Sequence, residues 1–353
     1  MNYIILNGIN STTVKGLLIQ SLPPITKPLM RTQVDVVDGR DGDNVTPLGY
    51  SAYDKPITIG LHGNYDIDAI ISFFNTSGTV IFSNEPDKYY RFAIYAQIDF
   101  ERLIRFRTAT VVFHVQPYKY SATQATVTHN NQLLNFADAI KTVGGITASL
   151  VDGVVSISGS ASSAVDIRLP IPAVTVGDGS YILEAFARGN NVDKVSMRLI
   201  YNDTSTSFGN AALQLAENHV ASLNGSGAGT YNYLHFHVAP GDINITVNVL
   251  FCSSSNITMT IRNNGNTESK PQLTVYGYGG VNITLNGKQI FAILLDGYIT
   301  IDVEKMDAYK DGALKNRSVT GDYNGLTLIP GRNTISFSGM VSKMDITRYS
   351  RWT

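Results

Sequence analysis

The sequence predicts an all-β protein, and three observations carry that prediction. Short runs of alternating apolar and polar residues recur along the chain, punctuated by Gly, Asn, Asp and Pro, which is the period and the punctuation of strands and tight turns. The stretch "VNITLNGKQIF" places Asn286-Gly287 between two such runs, a strong hairpin signal because both residues tolerate positive φ. Only one stretch, "DIDAIISFF" from Asp66 to Phe74, carries a helical period.

The 353 residues suffice for two or three domains, and 43% hydrophobic against 16% charged residues supplies a sizeable core and argues against disorder. With 27 basic and 28 acidic residues the formal net charge is -1, without the basic excess of a nucleic-acid binder. The single cysteine, Cys252, excludes an internal disulfide framework and a cysteine-rich zinc site. The opening "MNYIILNGIN" lacks the basic and apolar regions of a secretory signal. No run approaches the roughly 18 apolar residues of a membrane span.

The first segment runs to about residue 121. In it "LPPITKP" (22–28) must be extended and irregular, because three prolines remove backbone donors. The helix at 66–74 has Asn64 or Asp66 as its cap, an apolar face of Ile67, Ile70, Ile71 and Phe74, and Gly78 just beyond its end. "TVIFS" and "YYRFAIYAQI" read as strands joined through "NEPDK", and "RFRTATVVFHV" as a further strand.

Within this segment "VDVVDGRDGDNV" (34–45) gathers four aspartates around Gly39 and Gly42. A calcium loop needs oxygen ligands at alternate positions and a closing Glu, but Val45 stands at the next ligand position and no Glu follows. A phosphate cradle needs a Lys and a following helix, and neither is present. Asp-Gly pairs are turn formers, and a turn is the reading that remains.

The last segment, about 264–353, holds the Asn286-Gly287 hairpin, a second tight turn at Asp296-Gly297, a Pro330-Gly331 turn, and a closing strand with the only tryptophan, Trp352. "ATVTHN" (125–130) is positioned to supply its missing first strand from across a gap. The block between, 132–263, is richer in Ser, Asn, Ala and Gly and contains about six strand runs, enough for a complete small sandwich inserted into the last domain. The predicted division is therefore 1–121, then 122–131 with 264–353, with 132–263 inserted.

Chemistry-bearing residues are few. His235 and His237 stand two apart on a strand and share a face with Tyr231 and Tyr233. A metal site needs further ligands that cannot be named. The row reads either as a saccharide platform, with rings stacking on sugar C–H faces and polar tips on hydroxyls, or as a solvated sheet face. Glu184, Arg188, Arg198 and Asn202 are placed on the same sheet. Glu184, Asp193 and Glu217 are too scattered for the paired carboxylates of a glycosidase, and no nucleophile-elbow or zinc-protease motif occurs. His114 in "VVFHVQPY" reads as a core or interface histidine. Arg105 and Arg107, placed on one strand face, are candidates to meet the acidic loop of a neighbouring copy through Asp38, Arg40 and Asp41.

The outer segments resemble the distal tail protein (Dit) family of siphophages that infect Gram-positive bacteria. The resemblance rests on the order and spacing of "LPPITKP…VDVVDGRDGDN", "FSNEPDKYYRFAIY", "VVFHVQPYKY", "NNGNTESKPQLTVYGYGGVNITLNG", "DGYITIDV" and "GLTLIPGRNTISFSG". It covers about 1–131 and 264–353. The middle block resembles the carbohydrate-binding modules carried by the "evolved" members. The resemblance implies an N-terminal β-sandwich with an arm hairpin, about Asp35 to Lys55, that embraces the next subunit. It also implies a galectin-like C-terminal sandwich interrupted by a jelly-roll insert. The implied assembly is a homohexameric ring joining the tail tube protein to the tail-associated (tail-tip) protein. Receptor-binding proteins and a host cell-wall saccharide are further partners. The chain would be made in the host cytoplasm, reside in the virion, and need no cofactor, metal or catalytic group. The rival expectations are a trimeric phage adhesin or fibre, and a carbohydrate-active enzyme with β accessory domains.

Overall fold

The computed structural model describes residues 1–39, 41–201, 206–226, 228–253 and 256–353. The protein is all-β, built from antiparallel sheets with two short α-helices. Among the described residues no helix is long and apolar enough to cross a membrane.

The first sheet runs Ile9–Asn10, Ile4–Leu6, Gly78–Phe82, Lys88–Ala93, Thr108–Ser121, Tyr53–Leu61, Leu17–Ser21. Its inward positions, among them Ile4, Ile59, Val80, Phe82 and Phe113, form one core. Helix α1 (Ile67–Phe74) starts where Asp66 accepts a hydrogen bond from the Ala69 N–H, and it buries Ile70, Phe73 and Phe74. Helix α2 (Phe100–Phe106) takes in Arg105 and Phe106, the first two residues of the strand expected from "RFRTATVVFHV". Asp99 caps it, Leu103 anchors it, and Arg107 ends it in the left-handed conformation at φ 57°. The strand begins only at Thr108, so Arg105 and Arg107 do not share a strand face.

One inward position of this sheet holds Lys55, only 2% exposed. Its ammonium donates to the Pro24 carbonyl at 2.9 Å and lies 4.8 Å from the Tyr90 ring centroid. Beside it Glu85 accepts from Tyr90 and Lys119. Asn84 donates to the Pro23 carbonyl at 2.9 Å. Two side chains thus hold the donor-poor proline segment by its carbonyls, which suits a stretch unable to join a ladder.

From that segment a separate hairpin projects, Met30–Val36 paired with Asp43–Tyr50. It begins five residues earlier than the family resemblance implied. Every residue of both strands is exposed except Tyr50, which is half-buried. The acidic loop is the turn at its tip, where Gly39 and Gly42 both adopt φ 81°.

Two sheets face each other in the middle of the chain. One runs Ala139–Val143, Ile146–Val151, Val154–Ala161, Gly241–Cys252, Ser180–Asn190, Val220–Ser226; the other runs Val165–Val176, Gly229–Val238, Val195–Tyr201, Leu213–Gln214. Their inner faces share one core that includes Ile157, Leu169, Leu199, Leu234, Phe236 and Phe251.

The last sheet contains Thr126–Asn130, Gly331–Thr347, Gln272–Leu285, Lys288–Asp302, Asp307–Lys310 and Ala313–Leu314 in that order, with Val319–Gly321 beside Lys288–Asp302. Thr126–Asn130 pairs with Lys343–Thr347, as the sequence suggested. Asn256–Asn263, assigned to the middle block from sequence, instead pairs with Gly331–Ser338, because Ile257, Met259 and Ile261 bury in the last core. Asp296-Gly297 is no hairpin turn; it lies inside the long strand Lys288–Asp302, opposite Tyr278 and Gly277. The chain end also departs from expectation. Arg351–Trp352 leaves this sheet and pairs with Lys119–Tyr120 of the first one, where the Lys88 ammonium sits 4.0 Å from the Trp352 ring.

Candidate functional site

The outer face of the four-stranded central sheet holds the most concentrated polar constellation. Gly229–Val238 is its middle strand, and strand register sets three rows across it. Asp166, His237 and Ser196 form one row; Arg168, His235 and Arg198 the next; Pro170, Tyr233 and Ile200 the third. Each row is a set of residues opposed across adjacent strands, neighbours in a row standing on one side of the sheet with Cβ atoms about 5 Å apart. The depression they line, with Asp166, Arg168, Ser196, Arg198, Ile200, His235 and His237 in its wall, has a volume of about 410 Å³.

One carboxylate oxygen organises both imidazoles. Asp166 Oδ1 lies 3.1 Å from His235 Nε2 and 2.9 Å from His237 Nδ1. The hydrogen bond from His237 outweighs partial burial and, with the charge of His235, holds the Asp166 carboxyl below the usual aspartate range. Burial pushes the His235 pKa down, against the pull of Asp166, and the nearby Arg168 and Arg198 guanidinium groups push it further. These causes together favour the neutral imidazole. A neutral imidazole that donates through Nε2 to Asp166 keeps Nδ1 as an acceptor. The face thus gathers guanidinium, hydroxyl and imidazole groups around one depression.

The residues singled out in the sequence separate here. Tyr233, His235, His237 and Arg198 come together on this face. Tyr231 does not. The register slips between Tyr231 and Tyr233 where they oppose Tyr201 and Ile200, and this bulge turns Tyr231 into the core. Its ring packs edge-on to Phe208 and Phe251, with centroids 6.1 Å and 5.8 Å away. Glu184 and Arg188 belong to the opposite sheet and point away from this face. Glu184 is buried beside Ser222, and Arg188 pairs with Asp296 of the last sheet at 2.7 Å. Asn202 and Arg40 lie outside the described residues. Asp166, Arg168 and Ser196 were not singled out; the alternation in "VDIRL" does turn Asp166 and Arg168 outward, but their meeting with His235 is a matter of strand order.

Among the candidates for subunit contact, Asp38 and Asp41 sit exposed at the hairpin tip. Arg105 pairs along α2 with Glu101, and the Arg107 guanidinium lies 4.9 Å from the Tyr65 ring. His114 is half-exposed, bonded to Asp54 at 2.8 Å and tilted against Tyr95. Among the described residues no group of three or more His, Cys, Asp or Glu is arranged to hold a metal ion.

No family model and no curated protein matches the sequence. Solved structures do align. The crystal structure of the SPP1 Dit protein (gp 19.1), described as a paradigm of the hub adsorption apparatus in phages infecting Gram-positive bacteria, aligns at TM-score 0.29 and 12% identity, over 71% of this chain and 99% of that one. A chain of the phage p2 baseplate in its activated conformation with Sr aligns at TM-score 0.38 and 11% identity, over 98% and 96%. The Endo-D glycoside hydrolase domain of Streptococcus pneumoniae R6 aligns at TM-score 0.24 and 13% identity, over 61% and 37%.

Proposed function

We propose that this chain is the structural, non-catalytic hub of a bacteriophage tail tip, and that copies of it close into a six-fold ring. The ring would join the tail tube to the tail-associated protein, and the central sandwich would hold host cell-wall saccharide during adsorption. The sequence motifs that resemble the Dit family suggest this role.

The observation that carries the reading is the exposed hairpin. A two-stranded ribbon alone is marginal in water. This one carries Val34, Val36, Val45 and Leu48 at 49%, 74%, 52% and 53% exposure, on a root fixed by Lys55 and Asn84. Such an arm gains stability when a neighbour covers it, and identical subunits contacting head to tail form a ring where the rotation between them closes. Light scattering or electron microscopy of the purified chain is the test. Six subunits are expected, reduced to fewer by Val36→Asp with Leu48→Asp. A monomer at all concentrations, or an assembly indifferent to these changes, rejects the ring. Reversal of Arg105 and Arg107 to Glu separately tests their contact with the Asp38–Asp41 tip of a neighbour.

The saccharide reading is supported by the rows around His235. Guanidinium, hydroxyl and imidazole groups and the Tyr233 ring match the hydroxyls and C–H faces of a sugar in a shallow depression. A site near 1 mM affinity contributes only about 4 kcal/mol, yet six copies facing a repeating polymer gain about two or more orders of magnitude. Glycan binding by the full chain should weaken with His235→Ala or Tyr233→Ala; undiminished binding moves the site elsewhere. Tyr231 is unsuited to this test because its removal opens the core.

A further inference from the structure

We propose that Glu184 makes the seat between the central sandwich and the last sheet a proton-sensitive joint, closed while its carboxyl is protonated and loosened once it ionises. The inference concerns how the central unit is held and stands apart from whether its outer face binds sugar.

The joint is small and can be traced residue by residue. On the strand Ser180–Asn190, Leu183, Ala185 and Ala187 face the sandwich core, while the alternate residues face away from it. Ile182 and Phe186, with Leu250 and Cys252 of the neighbouring strand, form a cluster with Met340 of the last sheet, flanked by Val220 and Tyr278. Phe186 stacks on Tyr278, Arg188 pairs with Asp296, and a Cβ placed on Gly279 would meet Val220 at 2.6 Å. Glu184 stands in the middle of this row, between Ile182 and Phe186 along its strand and between Leu250 and Ser222 across it.

An acidic side chain at the centre of an apolar seat is the anomaly. Glu184 is 7% exposed, and its partner is the Ser222 hydroxyl, which donates to Oε1 at 3.2 Å. Of the charged groups at the seat, Arg188 pairs with Asp296, while Lys310, which donates to the Asp296 carbonyl, and Lys315 line the cleft beside Phe186. Tyr278, a further titratable group there, is pushed up by burial and by Asp296, so it stays neutral. Cys252 is the remaining titratable group of the cluster. No cation is bonded to the Glu184 carboxylate among the described residues. Burial raises its pKa, and the Ser222 hydrogen bond opposes that rise. An ionised carboxylate here has a neutral hydroxyl but no cation to offset its desolvation, and parting of the two units would return it to water.

The direction of the effect follows from linkage. The closed joint holds its proton more tightly than the open one, so closure is fully favoured below the ordinary glutamate range. Its advantage is lost as pH rises through the raised value. Across that window the open population grows up to about tenfold per pH unit, then levels off.

Hydrogen exchange of the full chain between pH 4.5 and 8.5, corrected for intrinsic rates, tests this. Protection of Ser180–Asn190 and Gln272–Leu285 should fall with rising pH, while that of Ile146–Val151 stays level. Glu184→Gln should flatten the dependence. Ser222→Ala, which removes the hydroxyl favouring the ionised form, should move the midpoint to higher pH. A wild-type seat whose protection is independent of pH, a glutamine variant that follows wild type, or an alanine variant with an unmoved midpoint each overturns the proposal.

Discussion

Phe186 of the central sandwich and Tyr278 of the last sheet lie face to face, their ring centroids 5.0 Å apart and their planes 18° from parallel. The stack flanks the apolar cluster of Ile182, Leu250, Cys252 and Met340 that joins the two units. Tyr278→Ala removes it without touching either main core. The expected loss is about 1–2 kcal/mol of docking free energy. Faster exchange confined to Ser180–Asn190 and Gln272–Leu285, with unchanged exchange in the strand Gly229–Val238, would display it. Uniformly faster exchange through both units would refute a local joint.

Lys55 makes the second prediction. Burial pushes its pKa down and the charge of the Glu85 carboxylate opposes that fall, while its side chain donates to the Pro24 carbonyl. Lys55→Met preserves volume but removes that donor, leaving a carbonyl unpartnered at a cost of about 1–3 kcal/mol. The Leu22–Pro28 segment should then become a site of proteolytic nicking, and urea denaturation should shift to lower concentration. An intact segment in the variant would show that Asn84 alone fixes the arm's root.

The third concerns the sign of charge around His235. Burial is the main cause of its lowered pKa, Asp166 raises it, and Arg168 and Arg198 lower it. Arg198→Gln should therefore raise the titration midpoint of this imidazole, and Asp166→Asn should lower it, each read by NMR of the ring protons. Shifts in the reverse directions would mean that the three rows do not face one depression.

Much of this architecture is written in local chemistry. Asn286 and Gly287 take φ 49° and 86°, the two positive values that a two-residue hairpin loop requires. Asp66 caps its helix as its position before an apolar period foretells. Helix α2 is hidden in the sequence because its last residues, Arg105 and Phe106, run on into the alternating pattern of the strand that follows. Its signals were Asp99 as cap and the Glu101–Arg105 pair at i,i+4. The candidate face was legible as far as the alternation of His235 and His237. Tyr231 was misplaced because a bulge shifts the period without a mark in the sequence. Glu184 and Arg188 were misplaced because which of two sheets a strand joins depends on distant partners. Asn256–Asn263 went to the wrong unit for the same reason.

A fourth prediction follows from the pair that ties the first sheet to the last. Arg91 donates through both guanidinium nitrogens to Glu304, at 2.8 Å and 3.2 Å, and its plane also covers the Tyr120 ring at 4.8 Å. The geometry is two-pronged, which favours a measurable contribution, but the side chains are 44% and 31% exposed, which screens it. A double-mutant cycle with Arg91→Ala and Glu304→Ala should give a coupling of about 0.5–1 kcal/mol, smaller at high salt. Arg91→Ala should cost more than Glu304→Ala, because it also strips the cover from Tyr120. Equal single costs with no coupling would mean that the pairing of Arg351–Trp352 with Lys119–Tyr120, and not this ion pair, holds the two sheets together.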